Sequence, residues 1–297
     1  MKDHQVIEKL KKIVPYGHFQ FQDEVCIGVH LVDPKCTYHG TVRHCSPSDK
    51  KKIIHLISEL KGLKYLDLRK NRFGELIPLK LPKLEYLDLA SNYIDNIPSW
   101  IKDLPLQYLN LGVNLLRETP DWLCELTQLK VLKLHKNEIS AIPSLTPCKN
   151  LSFLNLYLNR IRKIPDFVWS LEELQFFSWG VSGIRSIPDE IGQLKKLQWL
   201  SMVANKIEHL PETFCNLKSL RGARLHKNRL KYLPENIGDL TKLEQLTLYK
   251  NQLSSLPNSF NKLKLKKLNL AKNRFVKTPK SNAEWSCCET SDCIWHQ

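Results

Sequence analysis

A segment of about 23 residues is repeated along most of this chain, and the repetition limits the fold more than any other property of the sequence. Each copy opens with the pattern L-x-x-L-x-L-x-x-N or a close variant, and successive copies start 21 to 23 residues apart. Because a unit of this length is too short to bury a core of its own, the copies must stack on one another. The ten copies begin at Leu63, Leu84, Leu106, Leu129, Leu151, Leu174, Leu197, Leu220, Leu243 and Leu265.

The first half of each copy predicts a short strand followed by a turn. In L-x-x-L-x-L the last two leucines alternate with other residues, as a strand with one buried face requires. The asparagine three residues later carries both donors and an acceptor, so we expect it to hydrogen-bond backbone groups at the turn and to form a ladder through the copies. That asparagine is present as Asn71, Asn92, Asn114, Asn137, Asn159, Asn205, Asn228, Asn251 and Asn273.

The second half of each copy pairs an aliphatic residue with proline and continues with apolar residues at three-residue steps, as in IPDEIGQLKKL at residues 187–197. Together the two halves resemble the leucine-rich-repeat superfamily, in the type seen in Ras-suppressor-like and scribble-like intracellular proteins and in many prokaryotic proteins. The resemblance implies an α/β fold. It would be a horseshoe-shaped solenoid with a parallel β-sheet on its concave face and short helical, 3-10 or irregular segments on its convex face.

The repeats divide the chain into three predicted regions. Residues 63–279 form the ten repeats, and residues 1–62 are predicted to cap the first one. Within this cap we predict a helix over residues 4–14 with Asp3 as N-cap, a strand from Val25 to Leu31 ending in a degenerate repeat, and a second helix capped by Ser48. Residues 280–297 contain cysteine and tryptophan and are either a small second cap or a tail.

The outward positions of the predicted strands are the candidate binding surface, since solenoids present their concave face to partners. The third position of each copy is aromatic in six of the first seven copies, and aromatic side chains are frequent hot spots of interfaces. The alternative is that these rings only cover the strands and pack on each other. The predicted partner-binding residues are Tyr65, Tyr86, Tyr108, Lys133, His135, Phe153, Tyr157, Phe176, Trp199, Arg224, His226 and Tyr249.

The charge of the chain favours an acidic partner. The formal net charge is +15, so we expect a protein partner of acidic or mixed charge, with the repeats serving as a scaffold or adaptor. A basic protein associated with nucleic acid is the alternative, although zinc-finger, RNP and basic-zipper motifs are absent from the sequence. Without a signal sequence or an apolar run long enough for a membrane, we expect a cytoplasmic monomer.

The sequence contains no motif for catalysis or for a cofactor, and we predict neither. Six of the nine cysteines lie in the flanking regions, so a secreted recognition protein with disulfide-capped ends is a further alternative, although free thiols are favoured. Near the N-terminus a few residues have donors suited to zinc, but their spacing matches no familiar zinc site. These weak metal candidates are Cys36, His39, His44 and Cys45.

The sixth copy departs from the pattern. It has Phe177 and Trp179 at the inner positions and Ser182 in place of the ladder asparagine. Gly180 and Gly183 lie beside them. A bulky inner ring and a lost ladder bond predict a locally distorted turn, which is either a specialised contact or sequence drift.

Overall fold

The computed structural model describes residues 2–31 and 46–276, together with the backbone of residues 284–285. The chain forms two compact units. The first unit comprises Met1–Ile161 and Pro165–Leu171, and the second comprises Arg162–Ile164 and Glu172–Gln297.

The first unit begins with helix α1 (Lys2–Ile13), which buries an apolar stripe that includes Ile7 and Leu10. The prediction that Asp3 caps this helix is wrong. Asp3 lies inside the first turn, and its carboxylate accepts a hydrogen bond of 2.9 Å from the backbone N–H of Cys26. The acidic side chain therefore fastens the helix to the strand that follows it.

Two strands follow α1 and pair antiparallel: β1 (His18–Gln22) and β2 (Val25–His30). The sequence predicted β2 but not β1, because four of the five β1 residues are exposed and leave no pattern of buried residues. β2 then pairs parallel with the first repeat, with Val29 opposite Leu66. Val29 thus takes the inner position predicted for a degenerate repeat.

Helix α2 (Pro47–Ser58) lies between β2 and the first full repeat. Its N-cap is Ser46 and not the predicted Ser48, because the Ser46 hydroxyl accepts a hydrogen bond of 3.1 Å from the backbone N–H of Asp49. Pro47 then takes the first helical position, where the missing N–H of proline has no cost.

Each repeat contributes one three-residue strand, and neighbouring strands pair parallel without slipping. In the first unit, Leu66 lies opposite Leu87 and Leu87 opposite Leu109. After β1 and β2, this unit contains β3 (Tyr65–Asp67), β4 (Tyr86–Asp88), β5 (Tyr108–Asn110), β6 (Val131–Lys133) and β7 (Phe153–Asn155).

The second unit has the same organisation. Phe177 lies opposite Leu200, and Ala223 lies opposite both Leu200 and Leu246. Its strands are β8 (Phe176–Ser178), β9 (Trp199–Ser201), β10 (Gly222–Arg224), β11 (Gln245–Thr247), β12 (Lys267–Asn269) and β13 (Glu284–Trp285).

Short 3-10 helices connect most strands, as the resemblance implied. Most of them begin directly after a proline, whose fixed φ directs the chain away from the sheet. They are Ser99–Asp103, Asp121–Glu125 and Asp166–Ser170 in the first unit, and Asp189–Gln193, Glu212–Asn216, Ile237–Asp239 and Asn258–Lys262 in the second. Among the helices that the structure describes, none is long and apolar enough to cross a membrane.

The predicted asparagine ladder is present in both units. Asn137 shows its bonds: the side-chain amide donates to the carbonyls of Leu111 and Leu134, each at 2.9 Å, and its oxygen accepts from the N–H of Leu116 at 3.1 Å. One side chain thereby links two consecutive repeats and satisfies three buried backbone groups, which explains why asparagine recurs at this position.

The residue before the ladder asparagine has a left-handed backbone in every repeat, and the same holds before Ser182, although none of these residues is glycine. Two of them are β-branched: Val113 and Val181, each with φ of 59°. β-branched side chains rarely adopt this conformation, so the turn is strained there. The full set is Lys70, Ser91, Val113, Lys136, Leu158, Val181, Ala204, Lys227, Lys250 and Lys272.

The sixth repeat is more regular than predicted. Phe177 and Trp179 are fully buried, and the N–H of Trp179 donates to the Ser201 carbonyl at 2.8 Å, as the equivalent residues of other repeats do. The predicted distortion is therefore absent up to Ser182 and is confined to the turn after it. There Gly183 has a positive φ of 74°, as Arg72 does (55°) at the same place in the first repeat.

Candidate functional site

Every strand of the repeats has an inner side, which supplies the core, and an outer side, which we call the open sheet face. It is formed by the third, fifth and seventh residues of each repeat. All the predicted partner-binding residues of the first unit lie at these positions and are half-buried, except Tyr65, which is 41% exposed. They are Tyr65, Tyr86, Tyr108, Lys133, His135, Phe153 and Tyr157 in the first unit, and Phe176, Trp199, Arg224, His226 and Tyr249 in the second.

In the first unit the tyrosines of three neighbouring strands stack on one another. The rings of Tyr86 and Tyr108 are nearly parallel with centroids 4.0 Å apart, and Tyr65 lies 5.5 Å from Tyr86 at a tilt. Burial is the main reason that the pKa of Tyr86 rises to about 12, and the Asp88 carboxylate adds to it. Burial likewise raises the pKa of Tyr108. The phenols of Tyr86 and Tyr108 are therefore neutral hydrogen-bonding groups at physiological pH.

Lys133 lies between two aromatic rings of the same face. Its ammonium nitrogen is 5.2 Å from the ring centroid of Tyr108 and 4.9 Å from that of Phe153. These are cation–π distances. Burial lowers the pKa of Lys133. The amine is thus held against the rings and is less hydrated than a surface lysine.

The imidazole of His135 lies across the neighbouring strand, above Gly112. A Cβ on Gly112 would lie 2.2 Å from a ring carbon of His135, so only glycine permits this approach. Burial, and then the charges of Lys133 and Lys136, lower the pKa of His135 to about 4. The ring is consequently neutral at physiological pH.

A buried charged cluster at the fifth position was missed by the sequence analysis. Asp67 and Asp88 are 3% and 1% exposed. Arg69 donates to both oxygens of Asp67, with a shortest distance of 2.7 Å, and its Nε lies 3.7 Å from Asp88. The carboxylate of Asp88 also accepts hydrogen bonds from the N–H of Ala90 and from the side-chain amide of Asn110, each at 3.0 Å.

The two carboxyl groups of this cluster differ in their protonation behaviour. Burial opposes ionisation of Asp67, but the hydrogen-bonded guanidinium of Arg69 and the His30 imidazole, whose Nδ1 lies 3.8 Å away, outweigh it and lower its pKa. The hydrogen bonds that Asp88 accepts from Ala90 and Asn110 come from neutral groups, and Arg69 is 3.7 Å away, so burial raises the pKa of Asp88. The alternation within L-x-x-L-x-L could have placed both side chains on the open sheet face, but their burial depends on neighbouring strands.

In the second unit the indole of Trp199 lies across Gly222 on the next strand. A Cβ on Gly222 would lie 2.0 Å from a ring carbon of Trp199. Phe176 lies opposite Trp199 in the register of β8 and β9, so the two predicted anchors occupy adjacent places on the face. The structure thus pairs them, and a glycine that the sequence analysis had not interpreted supports one of them.

Arg224, His226 and Tyr249 form a second group in this unit. The Nδ1 atom of His226 lies 3.1 Å from the hydroxyl of Thr247, and its ring is 6.5 Å from that of Tyr249. Burial, followed by the charges of Lys227 and Arg224, lowers the pKa of His226 to about 4. A neutral imidazole therefore lies among cations.

The structure offers no metal-binding cluster of three or more His, Cys, Asp or Glu side chains within residues 2–31 and 46–276. The weak zinc candidates lie outside the described residues; they are Cys36, His39, His44 and Cys45. The described cysteines are free thiols: Cys26, Cys124, Cys148 and Cys215.

Comparison with known proteins follows the same repeats. A family model described as "Leucine-rich repeat region" matches residues 136–289, which is more than half of the chain. A second model, "Leucine Rich repeats (2 copies)", matches residues 61–102. A search of curated proteins gave no match.

Solved structures of repeat proteins are also similar. A leucine-rich-repeat protein of Leptospira interrogans is 30% identical over 74% of this chain and 69% of its own, with a TM-score of 0.56. An internalin of Listeria monocytogenes is 26% identical over 73% of this chain and 64% of its own (TM-score 0.65). The ectodomain of the Arabidopsis receptor kinase HAESA, solved with an IDA peptide hormone, is 32% identical over 75% of this chain and 40% of its own (TM-score 0.66). The chain thus spans less than two thirds of the latter two, and the predicted solenoid fold is confirmed.

Proposed function

The chain belongs to the leucine-rich-repeat family, and from that premise we propose that it is a non-enzymatic module that holds a protein partner of acidic or mixed charge on its open sheet face. Leucine-rich-repeat folds commonly serve in protein–protein interaction. The role of scaffold or signalling adaptor is part of the same proposal, because the repeats supply surface and no catalytic motif.

One observation carries this proposal: large aromatic side chains remain half-exposed on a rigid sheet. Phe153 and Trp199 lie on strands whose backbone groups are paired with neighbouring repeats, so their positions are set before any partner arrives. Such preorganised rings lose little entropy on binding, and burying them in a complex releases apolar surface from water.

The similarity to HAESA supports a polypeptide partner. That ectodomain was solved with a peptide hormone bound, and its sequence is 32% identical to this chain over the matched region. We extend to this chain only the class of ligand, a polypeptide, and leave its sequence open.

The proposal is tested by capture from native lysate followed by quantitative binding. Phe153→Ala, Phe176→Ala and Trp199→Ala are each expected to weaken binding of the captured partner by about 1–3 kcal/mol. Gln193→Ala, on the exposed surface of a 3-10 helix, is the matched control and should bind like the wild type. Circular dichroism confirms that each variant is folded. Unchanged binding by the three aromatic variants contradicts the proposal.

An alternative function, association with nucleic acid, is favoured only by the net charge of +15. The two functions differ in their response to salt. Nucleic-acid affinity falls log-linearly with salt concentration, with a slope set by the number of phosphates neutralised. A partner held mainly by aromatic anchors has a shallower dependence. Titrations at several salt concentrations therefore distinguish them.

We also propose that the protein is a cytoplasmic monomer. The capped, secreted alternative would place the flanking cysteines in disulfides, so the number of reactive thiols tests this compartment. Size-exclusion chromatography with light scattering tests the oligomeric state, and a mass of one chain, 34.6 kDa, is expected.

A further inference from the structure

The open sheet face of the second unit is strongly asymmetric in charge. We consider the third, fifth and seventh residues of its five repeats, which form the open sheet face. We add the eighth residue, the left-handed residue that follows the seventh at the turn. None of these twenty positions holds aspartate or glutamate, whereas five hold a permanent cation. We call these five the basic strip: Arg224, Lys227, Lys250, Lys267 and Lys272.

Two acidic side chains of this unit are paired with lysines that do not belong to the strip. Glu208 pairs with Lys231 at 2.8 Å, and Glu244 pairs with Lys266 at 2.9 Å. All four residues lie outside the basic strip. Lys227 and Lys250 have no ion-pair partner among the residues that the structure describes.

The lysines of the strip are arranged in a row. β10, β11 and β12 pair parallel and in register, so Lys227, Lys250 and Lys272 take the same place in consecutive repeats. Adjacent strands lie about 4.8 Å apart, which sets the spacing of the backbone along the row. All three residues have the left-handed backbone of the turn, with φ between 54° and 57°. Their positions are therefore fixed by the repeat.

One contact and one electrostatic effect link this row to the open sheet face. The ammonium nitrogen of Lys272 lies 5.3 Å from the ring centroid of Tyr249, at the seventh position of the preceding repeat. The charges of Lys227 and Arg224 reach His226, where, after burial, they disfavour its protonated form. The strip and the predicted binding residues of this unit thus form one surface, on which Lys227 and Lys250 have no ion-pair partner among the described residues.

We propose that the basic strip binds an acidic, extended peptide segment of the protein partner, which crosses β10, β11 and β12 with its carboxylates on Lys227, Lys250 and Lys272. This inference rests on the proposed function, because it specifies the chemistry of the partner and the repeats that hold it. A row of cations separated by one strand spacing suits a run of acidic side chains, whose charges would otherwise repel each other.

A peptide fits this surface better than single-stranded nucleic acid does. Binding of nucleic acid needs open ring faces on which bases stack. Tyr249 has the Lys272 ammonium over its ring and the His226 ring beside it, and Trp199 lies with its indole over Gly222. At the basic strip itself, charge pairing is therefore the principal interaction on offer, beside the aromatic anchors of the same face.

The inference is tested with the full chain and a fluorescent peptide of eight glutamates, by anisotropy at low salt. The double variant Lys227→Glu/Lys250→Glu is expected to bind the peptide at least about tenfold more weakly than the wild type, since each exchange replaces an attraction by a repulsion. The control is Lys195→Glu/Lys242→Glu. It changes the net charge equally at exposed lysines outside the open sheet face, and should bind like the wild type.

Three results would overturn the inference: no binding of the glutamate peptide, an equal loss in the control, or tighter binding of a thymidine oligonucleotide at the same strip. The captured partner separates this inference from the proposed function. If the aromatic variants lose that partner while Lys227→Glu/Lys250→Glu keeps it, the open sheet face binds protein and the strip does not contribute. If the aromatic variants keep it, the proposed function itself is wrong.

Discussion

The indole ring of Trp199 lies directly over the α-carbon of Gly222 on the neighbouring strand, so close that a Cβ there would be 2.0 Å from the ring. Gly222→Ala should therefore displace the indole and lower the free energy of unfolding by about 1–3 kcal/mol. In a Trp199→Ala background the same change should cost much less. Urea denaturation of the two single variants and the double variant measures this coupling. Gly74→Ala, whose Cβ would meet nothing closer than 3.8 Å, is the control.

The left-handed turn residues offer a change that should stabilise the protein. Val113 has φ of 59° and is 39% exposed, so asparagine relieves backbone strain there while little apolar burial is lost. We expect Val113→Asn to raise the free energy of unfolding by about 0.5–1 kcal/mol. Val203→Asn, at a half-exposed position one residue before its own turn, should not stabilise. A lower melting temperature for Val113→Asn than for the wild type would contradict the strain argument.

The sequence predicted the repeat and its inner residues well, because both follow from periodicity. The inner positions of the sixth repeat show this: Phe177 and Trp179 are buried although neither is leucine. Periodicity also placed Tyr86 and Trp199 on the outer side of their strands. The alternation within one strand specifies whether each side chain points to the inner or the outer side, and it depends on that strand alone.

What the sequence could not predict depends on contacts between strands. Whether an outward side chain is covered is decided by the residue beside it on the next repeat. Asp88 is buried by its neighbours although aspartate usually lies at the surface, and His135 is held across a glycine of the preceding repeat. The left-handed residues were missed for a related reason, since Val113 and Lys250 have no conformational preference for that backbone. The hydrogen bonds of the repeat impose it.

The asparagine ladder should be costly to interrupt. Asn137→Ala removes bonds to the buried carbonyls of Leu111 and Leu134 and to the N–H of Leu116. The carbonyls of Leu111 and Leu134 would keep their bonds from Asn114 and Asn159, but the N–H of Leu116 would lose its partner away from water. We therefore expect the free energy of unfolding to fall by about 1–3 kcal/mol. Asn96→Ala, at an exposed asparagine, should change it by less than about 0.5 kcal/mol. Equal denaturation midpoints for the two variants would show that the ladder contributes no stability.

The thiols provide a test of the compartment. In denaturant without a reductant, all nine cysteines are expected to react with a thiol reagent, as in a protein from a reducing environment. In the native state Cys26, Cys148 and Cys215 should react slowly, because burial raises the pKa of each to about 11 and shields it. Among the four described cysteines, Cys124, which is half-exposed, should react first. Only three or five reactive thiols in denaturant would indicate disulfides and a secreted protein.

The last prediction concerns pH and follows from His135 and His226, whose pKa values fall to about 4 in the folded protein. The ordinary histidine pKa is about 6.5, so between these values the unfolded chain binds more protons than the folded one. Stability is therefore fully retained above about pH 6.5 and is lost as the pH falls toward 4. Each imidazole is partly in contact with solvent, so we expect a loss of about 1–3 kcal/mol for each histidine.

The measurement is urea denaturation of the wild type and His226→Gln at pH 7 and pH 4.5. Glutamine keeps a polar group near Thr247 but cannot take up the proton, so the variant should lose less stability between the two pH values than the wild type does. His55→Gln, at an exposed histidine of α2, should follow the wild type. Carboxylates that titrate in the same range affect all three proteins equally and cancel in the comparison. If His226→Gln has the same pH dependence as the wild type, the imidazole is not buried neutral among Arg224 and Lys227, and the charge distribution inferred for this surface is incorrect.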